Sequence, residues 1–502
     1  MYKMKTINNI YIGVCFFMVF FTSCDITKDL DEFEPLFSLP AETAIADESS
    51  AEIALAGMYS ILQQNDAEGN PNHSILPSTL SGVNTGGFFV FLSAEDNAMI
   101  ANNPPADGAA LTRIYTGQYV LVNRANWIIN GVEKLTDDDF INNNRRLEII
   151  GEAKAMRALG HFHLLRLFGQ FYDANSVYGV NVRTEPARDD VAQPRVSVSE
   201  TYDAILNDLD DAIADAPDLR AKYFASKTFA KGLKAKVLLY MGDYAQAASI
   251  AKDVIDNSGS NFALTATFEE LFDHTGVATL DNTEALFDVY SDATQTEGLG
   301  LGNFWSIFTS TANWYTDMDN TTAMDVNGQS IILDATRLAF VKTGAYAIPG
   351  LGNGNMKFLQ RGGPQFETQY WLRMAEVYLI YAEAAARSTT SVPSDALDAL
   401  NAVRARAGAT TTGADGFETY PVAITYDQFL QAIRLEKLVE LGAEQGEDWF
   451  DLIRYDYADG FGSGFQVSDQ KATATNSDKF IMPIPVASIE AGGGVIDQNP
   501  SY

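Results

Sequence analysis

Two stretches gather the side chains best suited to holding a polar, uncharged ligand. The first, SGVNTGGFFVFLSAEDNAMIANN, carries Asn84, Phe88, Phe89, Phe91, Glu95, Asp96 and Asn97. The second, GNFWSIFTSTANWYTD, carries Asn303, Trp305, Asn313, Trp314 and Tyr315. Sugars present C–H faces and hydroxyls, so a site for them needs flat aromatic platforms flanked by amides, carboxylates and guanidinium groups. Both stretches supply that mixture. Trp305 and Trp314 have two roles open to them, ligand platform or core packing. Core packing weighs more for Phe88, Phe89 and Phe91, because phenylalanine has no polar handle.

The remaining reactive residues point away from catalysis. His161 and His163 lie two apart on a helical stretch and face different ways, while His73 and His274 stand alone, so no zinc site is expected. The segment TDMDNTT alternates carboxylates that can meet calcium, but it lacks the glycine and the distal glutamate of a twelve-residue calcium loop. A solvated loop is the expectation there, with a structural calcium the weaker alternative and no other cofactor. No G-x-S-x-G, P-loop, H-E-x-x-H or G-x-G-x-x-G pattern is present. An all-helical glycoside hydrolase needs two carboxylates about 5 to 9.5 Å apart. With 66 acids in the chain, candidate pairs carry no information, and a non-enzyme is expected.

The N-terminus supplies a different chemistry. Lys3 and Lys5 precede an uncharged run, Ile10 to Phe21, that is too short to cross a bilayer and reads as the apolar part of an export signal. Thr22 and Ser23 then place little bulk before Cys24, the layout of a bacterial lipoprotein signal. Residues 1–23 are therefore expected to be cleaved and Cys24 lipidated. Several acyl chains hold firmly, at about 0.8 kcal/mol for each buried methylene. Cys15 falls in the discarded segment and Cys24 is consumed by lipid, so neither a disulfide nor a thiolate site remains. The formal charge of −32 becomes −34 once Lys3 and Lys5 are gone. Such a field repels nucleic acid and polyanionic substrates and favours a neutral or cationic ligand.

The elements that must position the candidate residues are mostly helical. After an acidic tether to about residue 40, Ser49-x-x-Glu52 reads as a capping box opening SSAEIALAGMYSILQQ, with Ile53, Gly57, Ile61 and Ala54, Met58, Leu62 on one face. Leu111, Ile114, Tyr115, Gln118, Leu121, Val122, Ala125, Ile128, Ile129 and Val132 make a second stripe. NRRLEIIGEAKAMRALGHFHLLRLFG is a third helix ending at Gly169, and Ser197-x-x-Glu200 caps a fourth that Pro217 stops. ASKTFAKGLKAKVLLYMGDYAQAASIAKDVI is a helical hairpin turning at Gly242-Asp243. Small residues at helical spacing there match a tetratricopeptide-like unit. From about 258 to 365, glycine, threonine, asparagine and aromatics replace the stripes, and loops are expected. Helices return at FETQYWLRMAEVYLIYAEAAARS, SDALDALNAVRARAG and YDQFLQAIRLEKLVELGAE, with Trp127, Trp371 and Trp449 as core or interhelical contacts.

Five segments together resemble the SusD/RagB family of Bacteroidota outer-membrane lipoproteins: GEAKAMRALGHFHLLRLFGQ, the helical hairpin, RMAEVYLIYAEAAAR with ALNAVRARAG, IRLEKLVELGAEQGEDWFDLIRY, and the terminal PIP with QNPSY. The chain departs from the family at Lys437 and Asp448, where arginine is usual. The resemblance implies a mostly α fold of tetratricopeptide-like repeats with an irregular loop-rich face. It implies an N-terminal helical region over 41–257 and a C-terminal region over 258–502 with ligand-binding loops. It further implies a surface-exposed, outer-membrane lipoprotein that captures oligo- or polysaccharide, a neutral glycan such as a glucan, and delivers it to a SusC-like TonB-dependent transporter. Peptide capture of the RagB kind is the alternative. By region, the ligand contacts it implies fall on Asn84, Phe88, Phe89, Asp96, Asn303, Trp305, Asn313, Trp314 and Tyr315.

Overall fold

A computed structural model describes residues 44–63, 98–99, 101–142, 144–187, 192–272, 282–291, 323–334, 336–338, 347–348, 352–353, 367–411, 416–442, 444–458 and 466–502. The fold is mostly α. The first helix, α1 (Glu48–Tyr59), starts two residues earlier than the Ser49/Glu52 pattern predicts, because Asp47 is its N-cap and Ser50 completes the box. Glu52 is diverted to Arg145 and Arg220. The buried face is Ala51, Leu55 and Met58, continued by Ile61 and Leu62, and Ile53 is 71% exposed. The helix therefore sits rotated by about one residue from the predicted face.

Helices α2 (Ala109–Val132), α3 (Arg145–Phe168) and α4 (Val198–Asp215) pack in sequence order. All ten residues of the predicted α2 stripe are buried. On α4 the Ser197/Glu200 box forms as predicted, with Glu200 N–H bonded to Ser197 Oγ and Ser197 N–H to Glu200 Oε2. Close approach of α3 to the end of α4 depends on Gly151, where a Cβ would lie 2.4 Å from the Ala216 nitrogen. Helices α5 (Lys227–Met241) and α6 (Tyr244–Asn257) form the predicted hairpin. Gly242 turns it at φ 88°, a left-handed conformation that glycine adopts without a Cβ penalty. Asp243 then caps α6.

The second half packs directly on this array. Strand β1 (Ala285–Ser291) pairs antiparallel with β6 (Glu367–Arg373), and β6 runs without a break into α7 (Met374–Thr389). The stretch from Glu367 was expected to be helical. Pairing with β1 overrides that local pattern, and Trp371 is buried on a strand instead of a helix. Trp449 is buried as expected, whereas Trp127 is only partly so. Between the two strands, β2 (Ala323–Val326) and β3 (Gln329–Ile332) make a hairpin whose turn is Asn327-Gly328, both at positive φ. That dipeptide is the strongest short hairpin signal, and it lies inside the segment read as loops. The two-residue strands β4 (Ala347–Ile348) and β5 (Gly352–Asn353) pair with each other. Helices α8 (Ser394–Arg406), α9 (Tyr426–Leu441), α10 (Glu447–Ala458), α11 (Val467–Gln470) and α12 (Val486–Ala491) complete the chain. Alanines 375, 382, 384 and 386 let α7 lie against both α5 and α6, so one apolar core runs across residue 257.

Buried charge ties the strands to the helices. Glu440 of α9 accepts from Arg337, Arg373 and Arg406, and Arg373 also reaches Glu284 and Glu444. Arg404 pairs with Glu436 at 2.9 Å and donates to the carbonyls of Ile332 and Glu418. Lys437, where the family has arginine, is satisfied by Glu383 at 3.3 Å and Asp451 at 3.0 Å. Fully buried ions are tolerated only with such partners.

Candidate functional site

The residues singled out for ligand contact, Asn84, Phe88, Phe89, Asp96, Asn303, Trp305, Asn313, Trp314 and Tyr315, lie outside the described residues, as do Phe91, Glu95, Asn97, the lipidation candidate Cys24, the TDMDNTT segment, His73 and His274. What the structure defines is how the chain is held at the end of the first of these stretches. Lys471 Nζ donates to Met99 O at 3.0 Å, Asn102 Nδ2 donates to Lys479 O at 3.1 Å, and Lys479 bonds Asn103. Met99, Asn102 and Asn103 are thereby fastened to the C-terminal segment, more than 370 positions away.

The described residues also enclose an open cleft of about 820 Å³ that sequence reasoning missed. One wall is α2, through Tyr115, Thr116, Tyr119, Val120 and Asn123. The second is the extended segment 181–187, through Asn181, Arg183 and Ala187. The third is the C-terminal turn, through Ser488, Ala491, Gly492 and Ile496.

The second wall has no regular secondary structure, yet helix side chains hold it almost residue by residue. Tyr119 OH donates to Asn181 O at 3.0 Å, and Arg183 N–H donates to His161 Nε2 at 3.1 Å. Asn126 Nδ2 donates to Arg183 O and Glu185 O, Arg157 Nη1 donates to Thr184 O, and Ala187 N–H donates to Asn123 Oδ1. Burial, reinforced by Arg157, pushes the His161 pKa down to about 3, so the ring stays neutral and its Nε2 remains an acceptor. Arg195 ties the end of α3 and the backbone at Gly179 to the C-terminal segment, donating to Gly179 O, Phe168 O, Asp497 O and Asn499 Oδ1. Burial raises the Tyr115 and Tyr119 hydroxyls, which therefore carry no charge. The cleft is preformed, polar along its rim and apolar at Val120 and Ile496. That composition suits reversible binding.

His161 and His163 do face different partners, with His163 stacked edge-on against Trp371. Among the described residues no group of three His, Cys, Asp or Glu side chains is arranged to hold a metal. Among the same residues no helix is long and apolar enough to cross a membrane.

Comparison with known proteins decides the family. A family model described as "Starch-binding associating with outer membrane" matches residues 39–239, and the SusD family model matches 302–502. The chain belongs to the SusD-like family. A SusD-like protein of Bacteroides ovatus is 26% identical over 386 residues, covering 69% of this chain and 65% of the relative. This SusD-like chain thus aligns with slightly under two thirds of that relative's length. SusD-like protein P2 of Formosa agariphila is 25% identical, covering 79% of the chain and 81% of the relative. Among solved structures, a putative sugar-binding protein of Bacteroides vulgatus superposes with TM-score 0.68 at 22% identity, covering 92% and 100% of the two chains. A laminarin-binding SusD-like protein superposes with TM-score 0.64 at 21% identity, covering 91% and 100%. The SusD-like fold expected from the motifs is therefore the fold of this chain. Its family consists of carbohydrate-binding, non-catalytic proteins.

Proposed function

We propose that this chain is a cell-surface lipoprotein that captures a neutral oligo- or polysaccharide outside the outer membrane and passes it to a SusC-like TonB-dependent transporter. The observation that carries the reading is the pair of family matches, which together span both halves of one continuous fold. Cys24 is the proposed anchor. The excess of acidic residues disfavours uronic or sulfated chains, and a glucan is favoured because the structurally similar laminarin-binding protein shares the fold.

Capture needs no bond chemistry. The proposed contacts are Trp305, Trp314 and Tyr315 as ring platforms, flanked by Asn303 and Asn313, with Asn84, Phe88, Phe89 and Asp96 from the first stretch. A base–aromatic or sugar–aromatic platform is a dispersion contact whose loss weakens binding without touching the core.

The test is a screen of the full chain in detergent against laminarin, starch, xylan, and a sulfated galactan, by affinity gel and calorimetry. Retention by one neutral glycan, unchanged in length afterwards, is the expected result. Trp314→Ala removes most of that retention with a nearly unchanged thermal transition. Retention only by the sulfated polymer, or none by any glycan, refutes the proposal.

A further inference from the structure

We infer that the cleft between α2, segment 181–187 and the C-terminal turn is a second saccharide-binding site, built from residues other than the proposed loop contacts. The inference rests on the carbohydrate-capture reading and adds a place on the molecule to it.

The cleft has the size of a small-molecule site, since such sites run to roughly 300–1,000 Å³. In a chain with 66 acids and 34 bases, none of the described lining residues is acidic, and Arg183 is the charged group among them. What the walls offer is neutral: the hydroxyls of Thr116 and Ser488 and the amide of Asn123, whose Oδ1 already accepts from Ala187. Asn181 is 3% exposed, and its Nδ2 donates to Gln193 O while its Oδ1 accepts no hydrogen bond from the chain. A buried acceptor left in that state is costly, and a hydroxyl donor satisfies it. Apolar surface from Tyr119, Val120 and Ile496 lies beside these groups. Hydroxyls that both donate and accept, carried on a ring with apolar faces, describe a sugar.

Rigidity argues in the same direction. The hydrogen bonds to 181–187 from Tyr119, Asn123, Asn126, Arg157 and His161 keep the wall in place before any ligand arrives. Binding then costs little ordering entropy.

The test counts sites on the full chain with laminarihexaose, maltohexaose and xylohexaose, by calorimetry and by hydrogen exchange. Thr116 is exposed, so Thr116→Trp fills the cleft without entering the core, and Val120→Lys is a second blocking variant. Expected are two sites for one hexasaccharide, with ligand-dependent protection in 115–123 and 181–187. Either blocking variant removes that protection and weakens one site at least tenfold, while Trp314→Ala affects only the other. One site that both blocking variants leave unchanged, with no protection in 115–123 or 181–187, overturns the cleft and leaves the capture reading standing. No binding of any hexasaccharide to the unmodified chain overturns both.

Discussion

Replacing Arg373 with Met tests the buried ionic framework that ties the strands to the helices. Its guanidinium is 1% exposed. It donates from Nε to Glu444 Oε2 at 2.8 Å, from Nη1 to Glu284 Oε1 at 2.7 Å and Glu440 Oε1 at 2.5 Å, and from Nη2 to Glu440 O at 2.7 Å and Glu444 Oε1 at 3.0 Å. In this network the guanidiniums of Arg337, Arg373, Arg404 and Arg406 meet the carboxylates of Glu284, Asp334, Glu436, Glu440 and Glu444. Methionine fills the volume but removes the two donors to the Glu444 carboxylate and leaves Glu284 and Glu440 with fewer donors. Breaking a buried pair from one side costs about 3–5 kcal/mol, and the loss of five hydrogen bonds puts Arg373→Met at the upper end, about 5 kcal/mol. Glu440→Gln keeps the shape but removes the charge that Arg337, Arg373 and Arg406 share, so its cost is about 3 kcal/mol.

Urea unfolding at pH 7, followed by circular dichroism and tryptophan fluorescence, measures both variants. Acid supplies a second readout. Burial pushes the Glu440 carboxyl up, but Arg406, Arg373 and Arg337 together hold it well below the usual carboxylate range. A depressed carboxyl contributes stability that is present above the unfolded pKa, near 4.5, and is lost as pH falls below it. The unmodified chain therefore loses more on acidification than Arg373→Met, whose clamp on Glu440 is already weakened, and the two stability curves converge. A cost under about 1 kcal/mol at pH 7, or curves that diverge in acid, refutes the reasoning.

Three further outcomes follow from single sites. Burial alone pushes Lys471 down to about 7 from 10.5, so stability rises as pH climbs from about 7 toward 10.5, where the unfolded chain holds the extra proton; Lys471→Met flattens that rise, and an identical pH slope in both proteins sinks the idea. Neutral His161, with its pKa near 3, makes stability fall as pH drops below 6.5, by about 2 kcal/mol at pH 5. His161→Gln keeps an acceptor for the Arg183 N–H and removes this part of the acid loss, which urea midpoints at pH 5 and pH 7 check. Gly151→Ala gains about 1 kcal/mol of helix propensity but drives a Cβ against the Ala216 backbone, at a cost of roughly 1–3 kcal/mol, so the thermal midpoint falls. An unchanged or raised midpoint would mean that α4 yields without cost.

The amino-acid sequence by itself determined the helices whose signals are local. The α2 stripe, the Ser197/Glu200 cap and the Gly242-Asp243 turn all needed only residues within a few positions of one another, and each formed as read. Family membership was also legible, because five motifs in order are a property of the chain itself. Tertiary structure decided the rest. Glu52 left its helix cap for Arg145, and residues 367–373 became a strand, because partners far along the chain outweighed local preference. The cleft joins Asn123, Asn181 and Ser488, which are separated by 58 and 307 positions. No periodicity links such residues, since only packing of α2, the 181–187 segment and the C-terminal turn brings their side chains to one space.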